Sequence, residues 1–141
     1  MVMKILNAVP RFLLGAALLG SGVMGLIKGL PAQEVSGQAA LYLNALSGTY
    51  LLTLVKLTEV VAGLLLLSNR FVALALILAA PVVVNIFFFH AFYAQEGIPV
   101  GVVLVALEAF VALKHRAVYA PLFVATLPAR EVAPSARAVV S

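Results

Sequence analysis

Residues 50–93 read YLLTLVKLTEVVAGLLLLSNRFVALALILAAPVVVNIFFFHAFY. Two apolar runs, Tyr50–Leu67 and Phe71–Tyr93, are separated only by a short polar break at Asn69-Arg70. A helix needs about 20 apolar residues to cross a hydrocarbon core of about 30 Å. Both runs reach that range, and a connection this short makes them antiparallel neighbours. Within lipid the backbone must satisfy its own hydrogen bonds, so each run is expected to be a helix. A barrel would need strands of about 10 residues with alternating polarity, and nothing here alternates.

The same pattern extends in both directions. Upstream, Phe12–Leu30 is a third apolar run, and downstream Ile98–Leu113 is a fourth that is expected to extend through Lys114 to Arg116. Gln95-Glu96-Gly97 joins the last two runs as tightly as Asn69-Arg70 joins the middle pair. Lys4 and Arg11 before the first run resemble the basic region of a signal peptide. No small-residue cleavage site follows, however, and Lys28 falls within the end of the run, so it reads as a retained helix. The fold expected is an all-α membrane protein, a four-transmembrane-helix antiparallel bundle. The longer connection, Pro31–Thr49, is expected to contain a short interfacial helix capped by Ser36. Residues 1–123 form the membrane domain, and 124–141 are read as a flexible cytoplasmic tail.

Composition agrees. The chain of 141 residues is 65% apolar and 10% charged, where soluble domains run at roughly 45–50% and about 25%. Its mean hydropathy is +1.18. A soluble fold of this size leaves too much of such a surface in water. The net charge of +4 comes from scattered Lys and Arg with no basic stripe, so no nucleic-acid partner is expected. The partner implied is the lipid bilayer. With no Cys, thiolate catalysis, disulfide exchange and Cys-ligated metal centres are excluded. No phosphate-binding, nucleophile-elbow or zinc-protease motif is present, and no metal site is expected.

Orientation follows from Lys and Arg near the helix ends. Four crossings place Lys4, Arg11, Arg70, Lys114 and Arg116 on one side and Lys28 on the other. The expectation is a multi-pass protein of the inner (plasma) membrane with both termini cytoplasmic.

Ionisable and polar groups inside such helices are costly and face the bundle interior. Lys56, Glu59, Asn85 and Glu108 qualify. At 1.5 Å per residue, Lys56 lies roughly 9–12 Å from the outer end of its helix, Glu59 about 14–16 Å, Asn85 about 12 Å and Glu108 about 15 Å. Thr53, Lys56, Glu59 and Gly63 share one face, and so do Gly101 and Glu108. A buried polar layer is therefore expected near the midplane. One ammonium facing two carboxylates leaves an excess negative charge, so one Glu is expected to hold a proton, an arrangement suited to proton handling or quinone contact. The plainer reading is helix-to-helix bonding, and Lys56–Glu59 alone also fits an ordinary intrahelical pair.

His90, near the outer surface, has three readings: haem ligand, quinone hydrogen-bonding partner, or a residue of the interface. His115 lies at the opposite face. Lys28 and Arg11 are expected to snorkel, with Lys28 and His90 as outer-face polar contacts. Pro81 leaves the carbonyl of Ile77 without its helix donor and is expected to kink the third crossing. Gly15, Gly20, Ser21, Gly22 and Gly25 are expected to permit close helix packing. Phe87-Phe88-Phe89 reads as lipid and core contact, and Tyr119 and Phe123 as interfacial anchors.

The order of these motifs resembles the DoxX family of small integral membrane proteins. Arg11-Phe12-Leu13-Leu14-Gly15, Ser21-Gly22 and Lys28 are similar to the first helix of that family. Tyr50-Leu51-Leu52 with Lys56, Glu59, Gly63 and Leu64–Leu67 is similar to the second. Pro81-Val82-Val83-Val84-Asn85-Ile86 and His90 look like the third. Glu108 and Arg116-Ala117-Val118-Tyr119-Ala120-Pro121-Leu122 look like the fourth helix and its exit. The resemblance covers roughly residues 11–123. It implies a four-helix bundle. It also implies an accessory subunit of a membrane oxidoreductase or redox-defence complex, with membrane or soluble redox proteins as partners and without catalysis of its own. Quinone is the one cofactor suggested. The alternatives are a small hydrophobic-ligand or lipid carrier, and a structural bundle without activity. Self-association into a homo-oligomer is a further partner reading.

Overall fold

Four helices in the computed structural model are long and apolar enough to cross a membrane. The structure describes residues 2–30 and 36–125, and among these no strand occurs. In chain order the helices are α1 (Val2–Lys28), α2 (Gly37–Ser47), α3 (Tyr50–Leu67), α4 (Val72–Phe92), α5 (Ile98–Lys114) and the single turn α6 (Arg116–Tyr119). Short 3₁₀ turns cover Gln95–Gly97 and Ala120–Phe123. The membrane candidates are α1, α3, α4 and α5. Helix α1 packs on α3, α3 on α4, α4 on α5, and α5 returns to α1, closing an antiparallel four-helix bundle. Leu54, Leu57, Val61 and Leu64 on α3 and Leu74, Ile77, Val84 and Phe88 on α4 point outward and stay exposed. A belt of that kind needs lipid to cover it.

The α3–α4 turn shows why two polar residues suffice. Asn69 adopts a left-handed conformation, φ 56°. Its N–H donates to Leu66 O (3.2 Å) and that of Arg70 to Leu65 O (3.1 Å). This paired arrangement caps a helix C-terminus, and Asn tolerates the left-handed position better than most residues. Arg11 of α1 adds a third contact, its Nη1 donating to Leu66 O at 2.8 Å. Arg11 is thus buried against α3, with its guanidinium also over the Phe12 ring. The snorkelling expected for it is not seen, because the carbonyl end of α3, with its negative dipole and spare lone pairs, offers a charged donor more than the interface does.

Other boundaries shift in instructive ways. Helix α1 begins at Val2, ten residues before the expected Phe12, and runs through Pro10. A proline removes one ladder bond and crowds the preceding turn, and here the helix continues past it. Helix α4 likewise continues through Pro81. Helix α5 ends at Lys114, where His115 forms a turn into α6. Ser36 occupies the N-cap position of α2, but its side chain makes no cap bond. Thr49 caps instead at the next junction. Its hydroxyl accepts from Leu51 N–H of α3 (3.3 Å) and donates to Ala45 O of α2 (3.1 Å), tying the two helices across a two-residue link. The tail read as flexible falls, from residue 126 onward, outside the described residues.

Helices α1 and α3 approach closely at glycines. A Cβ on Gly22 would sit 2.9 Å from Lys56 O, and one on Gly63 would sit 2.8 Å from Gly15 O. Each glycine thus meets the backbone of the other helix. Gly20 faces open space and takes no part in the contact. Toward the end of the bundle that carries Arg11 and Arg70, the core is apolar: Leu14, Leu18, Ala62, Leu66, Val72, Ala75, Leu76, Ala79, Val83 and Val111. Tyr119 packs against this cluster and donates to Ala73 O at 3.3 Å, so it closes that end as well as sitting at its surface. Phe123 remains exposed, as an anchor would.

Candidate functional site

The apolar core fills one half of the bundle and leaves a cavity of about 570 Å³ in the other, toward α2. Five helices line it. Ser21 comes from α1 and Tyr42 from α2, Lys56 and Glu59 from α3, Asn85 and His90 from α4, and Leu104 from α5. Most of the wall is aliphatic or aromatic. Leu54 of α3 and Pro81 and Asn85 of α4 are exposed at its margin, so the cavity opens to the surroundings of the bundle.

Lys56 is held in place by α1. A Cβ on Gly25 would meet its stem, 2.5 Å from Cδ and 2.6 Å from Cε, so the aliphatic chain lies flat over that glycine. The ammonium then donates to Glu59 Oε1 and Oε2, both at 2.9 Å, and to Ser21 Oγ at 3.0 Å. Glu59 is 1% exposed. The spacing of one helical turn brings the two together, and the three acceptors match the three donors of an ammonium.

Asn85, expected in the buried layer, is instead exposed on the same cavity wall, near its open margin. Its Oδ1 accepts from the Tyr42 hydroxyl at 2.6 Å. The Tyr42 ring packs at 5.3 Å from Phe89 and 6.2 Å from Tyr93 between centroids, which seats α2 over α4. His90, half-buried, has Nδ1 3.2 Å from Ala94 O and its ring against Gly97, where no Cβ fits.

Glu108 is placed differently. It is 8% exposed and does not line the cavity. Its Oε1 is buried without a hydrogen-bond partner among the described residues. Burial first, and then the Glu108 carboxylate, raise the Tyr119 phenol above its usual value, which places Glu108 within electrostatic reach of the bundle end that Tyr119 closes. The structure therefore brings Lys56, Glu59 and Asn85 to one cavity and sets Glu108 apart. Equal depth did not ensure contact. Lys56 finds Glu59 on its own helix, and Glu59 together with Ser21 takes every donor it has.

Lys28 is exposed at the end of α1 and does not reach the cavity or His90. His115 lies at the opposite end of the bundle, its Nδ1 2.9 Å from Val111 O. Three residues that shape the site, Tyr42, Ser21 and Gly97, carry no site role in the sequence reading, where Ser21 is a packing residue and Gly97 part of a connection. The signal for Tyr42 was a long aromatic with a polar tip in an otherwise mostly aliphatic helix. For Ser21 it was a hydroxyl among glycines, where helices approach closely.

No protein-family model, curated protein or solved structure matches this chain.

Proposed function

We propose that this chain is a multi-pass membrane subunit that holds a small hydrophobic ligand with a polar head in the cavity between its helices. The observation that carries the reading is the cavity itself: apolar walls, a few converging polar groups, and a margin open between α3 and α4. Ligand sites have this composition, and a lipid-soluble molecule reaches such a margin from the bilayer without passing through water. The preferred ligand class is quinone, in its oxidised or reduced form, whose ring oxygens suit the Asn85 amide and whose tail suits the aliphatic wall. The Lys56–Glu59 pair is the fixed floor of this site.

The resemblance to the DoxX family supports the further reading that the chain is an accessory subunit of a membrane oxidoreductase or redox-defence complex. The five-to-one distribution of Lys and Arg supports insertion in the inner (plasma) membrane with both termini cytoplasmic.

The test is purification in mild detergent followed by solvent extraction and mass spectrometry. The expected result is quinone at close to one per chain. Another lipid at that ratio supports a carrier of hydrophobic molecules, and the absence of any retained molecule overturns the ligand reading.

A further inference from the structure

The hydrogen bonds already made inside the cavity determine which head group it can take. Lys56 has three donors and uses all of them on Glu59 and Ser21. Glu59 lines the cavity but is 1% exposed, and both its oxygens are engaged by the Lys56 ammonium. The Thr58 hydroxyl donates to Leu54 O at 2.9 Å, and Tyr42 spends its proton on Asn85 Oδ1. Two groups on α4 remain. The Asn85 amide Nδ2 has two N–H donors and no partner among the described residues. The other is the His90 ring, whose Nδ1 faces Ala94 O at 3.2 Å. A carbonyl oxygen only accepts, so Nδ1 carries the proton, and Nε2 of the neutral ring is an acceptor. Gly97 keeps the ring in this position, since any side chain there would collide with it.

A carbonyl head satisfies Asn85 and leaves His90 Nε2 unpaired. A hydroxyl head satisfies both, because it donates and accepts. We propose that the cavity selects a hydroxyl-bearing hydrophobic molecule, a phenol or quinol, over the carbonyl-only form of the same molecule. The hydroxyl proton goes to His90 Nε2, and a ligand oxygen accepts from Asn85 Nδ2. This rests on the ligand reading above and specifies the form that is bound. Leaving a desolvated acceptor unpaired is the discriminating cost, and it corresponds to a preference on the order of tenfold.

The experiment is equilibrium binding to the full chain in lipid nanodiscs. The probes are a short-tailed benzoquinol, its matching benzoquinone and an isoprenoid alcohol of equal tail length. The quinol is expected to bind about tenfold more tightly than the quinone. His90→Phe, which keeps a ring in the same packing, is expected to make the two equal by weakening only the quinol. Gly97→Ala, which displaces the imidazole without removing it, is expected to do the same. If the alcohol binds as well as the quinol, the hydroxyl requirement stands and an aliphatic alcohol is a sufficient ligand. Equal binding of quinol and quinone to the unmodified protein overturns this inference but leaves the ligand reading intact. A preference that survives His90→Phe overturns the role given to His90. Failure of all three probes to bind overturns both readings.

Discussion

Lys56 Nζ lies 2.9 Å from each carboxylate oxygen of Glu59, one turn along the same helix, and both side chains are buried. A pair of this kind is costly to break and cheap to replace as a unit. Removing one partner strands a charge in low dielectric, whereas exchanging both for apolar residues removes two desolvation costs together. Glu59→Met is expected to destabilise the protein by about 3–5 kcal/mol, and Lys56→Met with Glu59→Met together by much less. Reversible unfolding in bicelles, arranged as a double-mutant cycle, measures this. Additive losses would show that the two groups are not coupled.

Glu108 is expected to behave in the opposite way. Its Oε1 has no partner among the described residues, so the side chain bears a desolvation cost that no hydrogen bond to that oxygen offsets. Glu108→Met is expected to leave stability unchanged or to raise it, by up to roughly 1–3 kcal/mol. The same unfolding measurement applies, and a loss as large as that for Glu59→Met would contradict the placement of Glu108. A buried group retained at a stability cost is commonly a functional one.

The glycines of α1 and α3 separate by what they face. Gly22 and Gly63 meet backbone across the α1–α3 contact, and backbone cannot yield. Gly22→Ala and Gly63→Ala are expected to cost about 1–3 kcal/mol by forcing the helices apart. Gly20 has open space and is expected to gain up to about 1 kcal/mol on substitution by Ala. Gly25→Ala displaces only the Lys56 stem, so its effect should diminish in a Lys56→Met background. Equal effects at positions 20 and 22 would refute the close approach.

The absence of Cys gives a clean test of orientation. Single cysteines at Gln38 in α2 and at Asn69 in the α3–α4 turn lie at opposite ends of the bundle. With cytoplasmic termini, a membrane-impermeant maleimide is expected to label Gln38→Cys in spheroplasts, with the outer face of the inner membrane exposed, and Asn69→Cys only after they are permeabilised. The reverse pattern would invert the topology.

The crossings were legible because bilayer thickness acts on length and hydropathy alone. Tyr50–Leu67 was read at its observed limits, and the other three spans were read within a few residues at most ends. The start of α1 was not, since the apolar run begins at Phe12 whereas the helix begins at Val2 and runs through Pro10. The site was legible by residue type and not by partner. Depth and helical face put Lys56, Glu59 and Asn85 at one level, and all three line one cavity. They could not tell that Glu59 would take all that Lys56 offers beyond Ser21, or that Glu108 would turn toward the other half of the bundle. Nothing local marks Tyr42 as the partner of Asn85, because that bond joins residues 43 positions apart and exists only once α2 has folded over α4.

The most direct test of the ligand-binding account is native mass spectrometry of the protein released from nanodiscs, compared with a variant whose cavity is filled. Ala17 lines the cavity from α1 and is itself exposed, so Ala17→Trp occupies the space without disturbing the core. The account predicts one hydrophobic molecule per chain in the unmodified protein and none in Ala17→Trp, with helical content unchanged. Equal occupancy in the two proteins, or an empty unmodified protein, would contradict it.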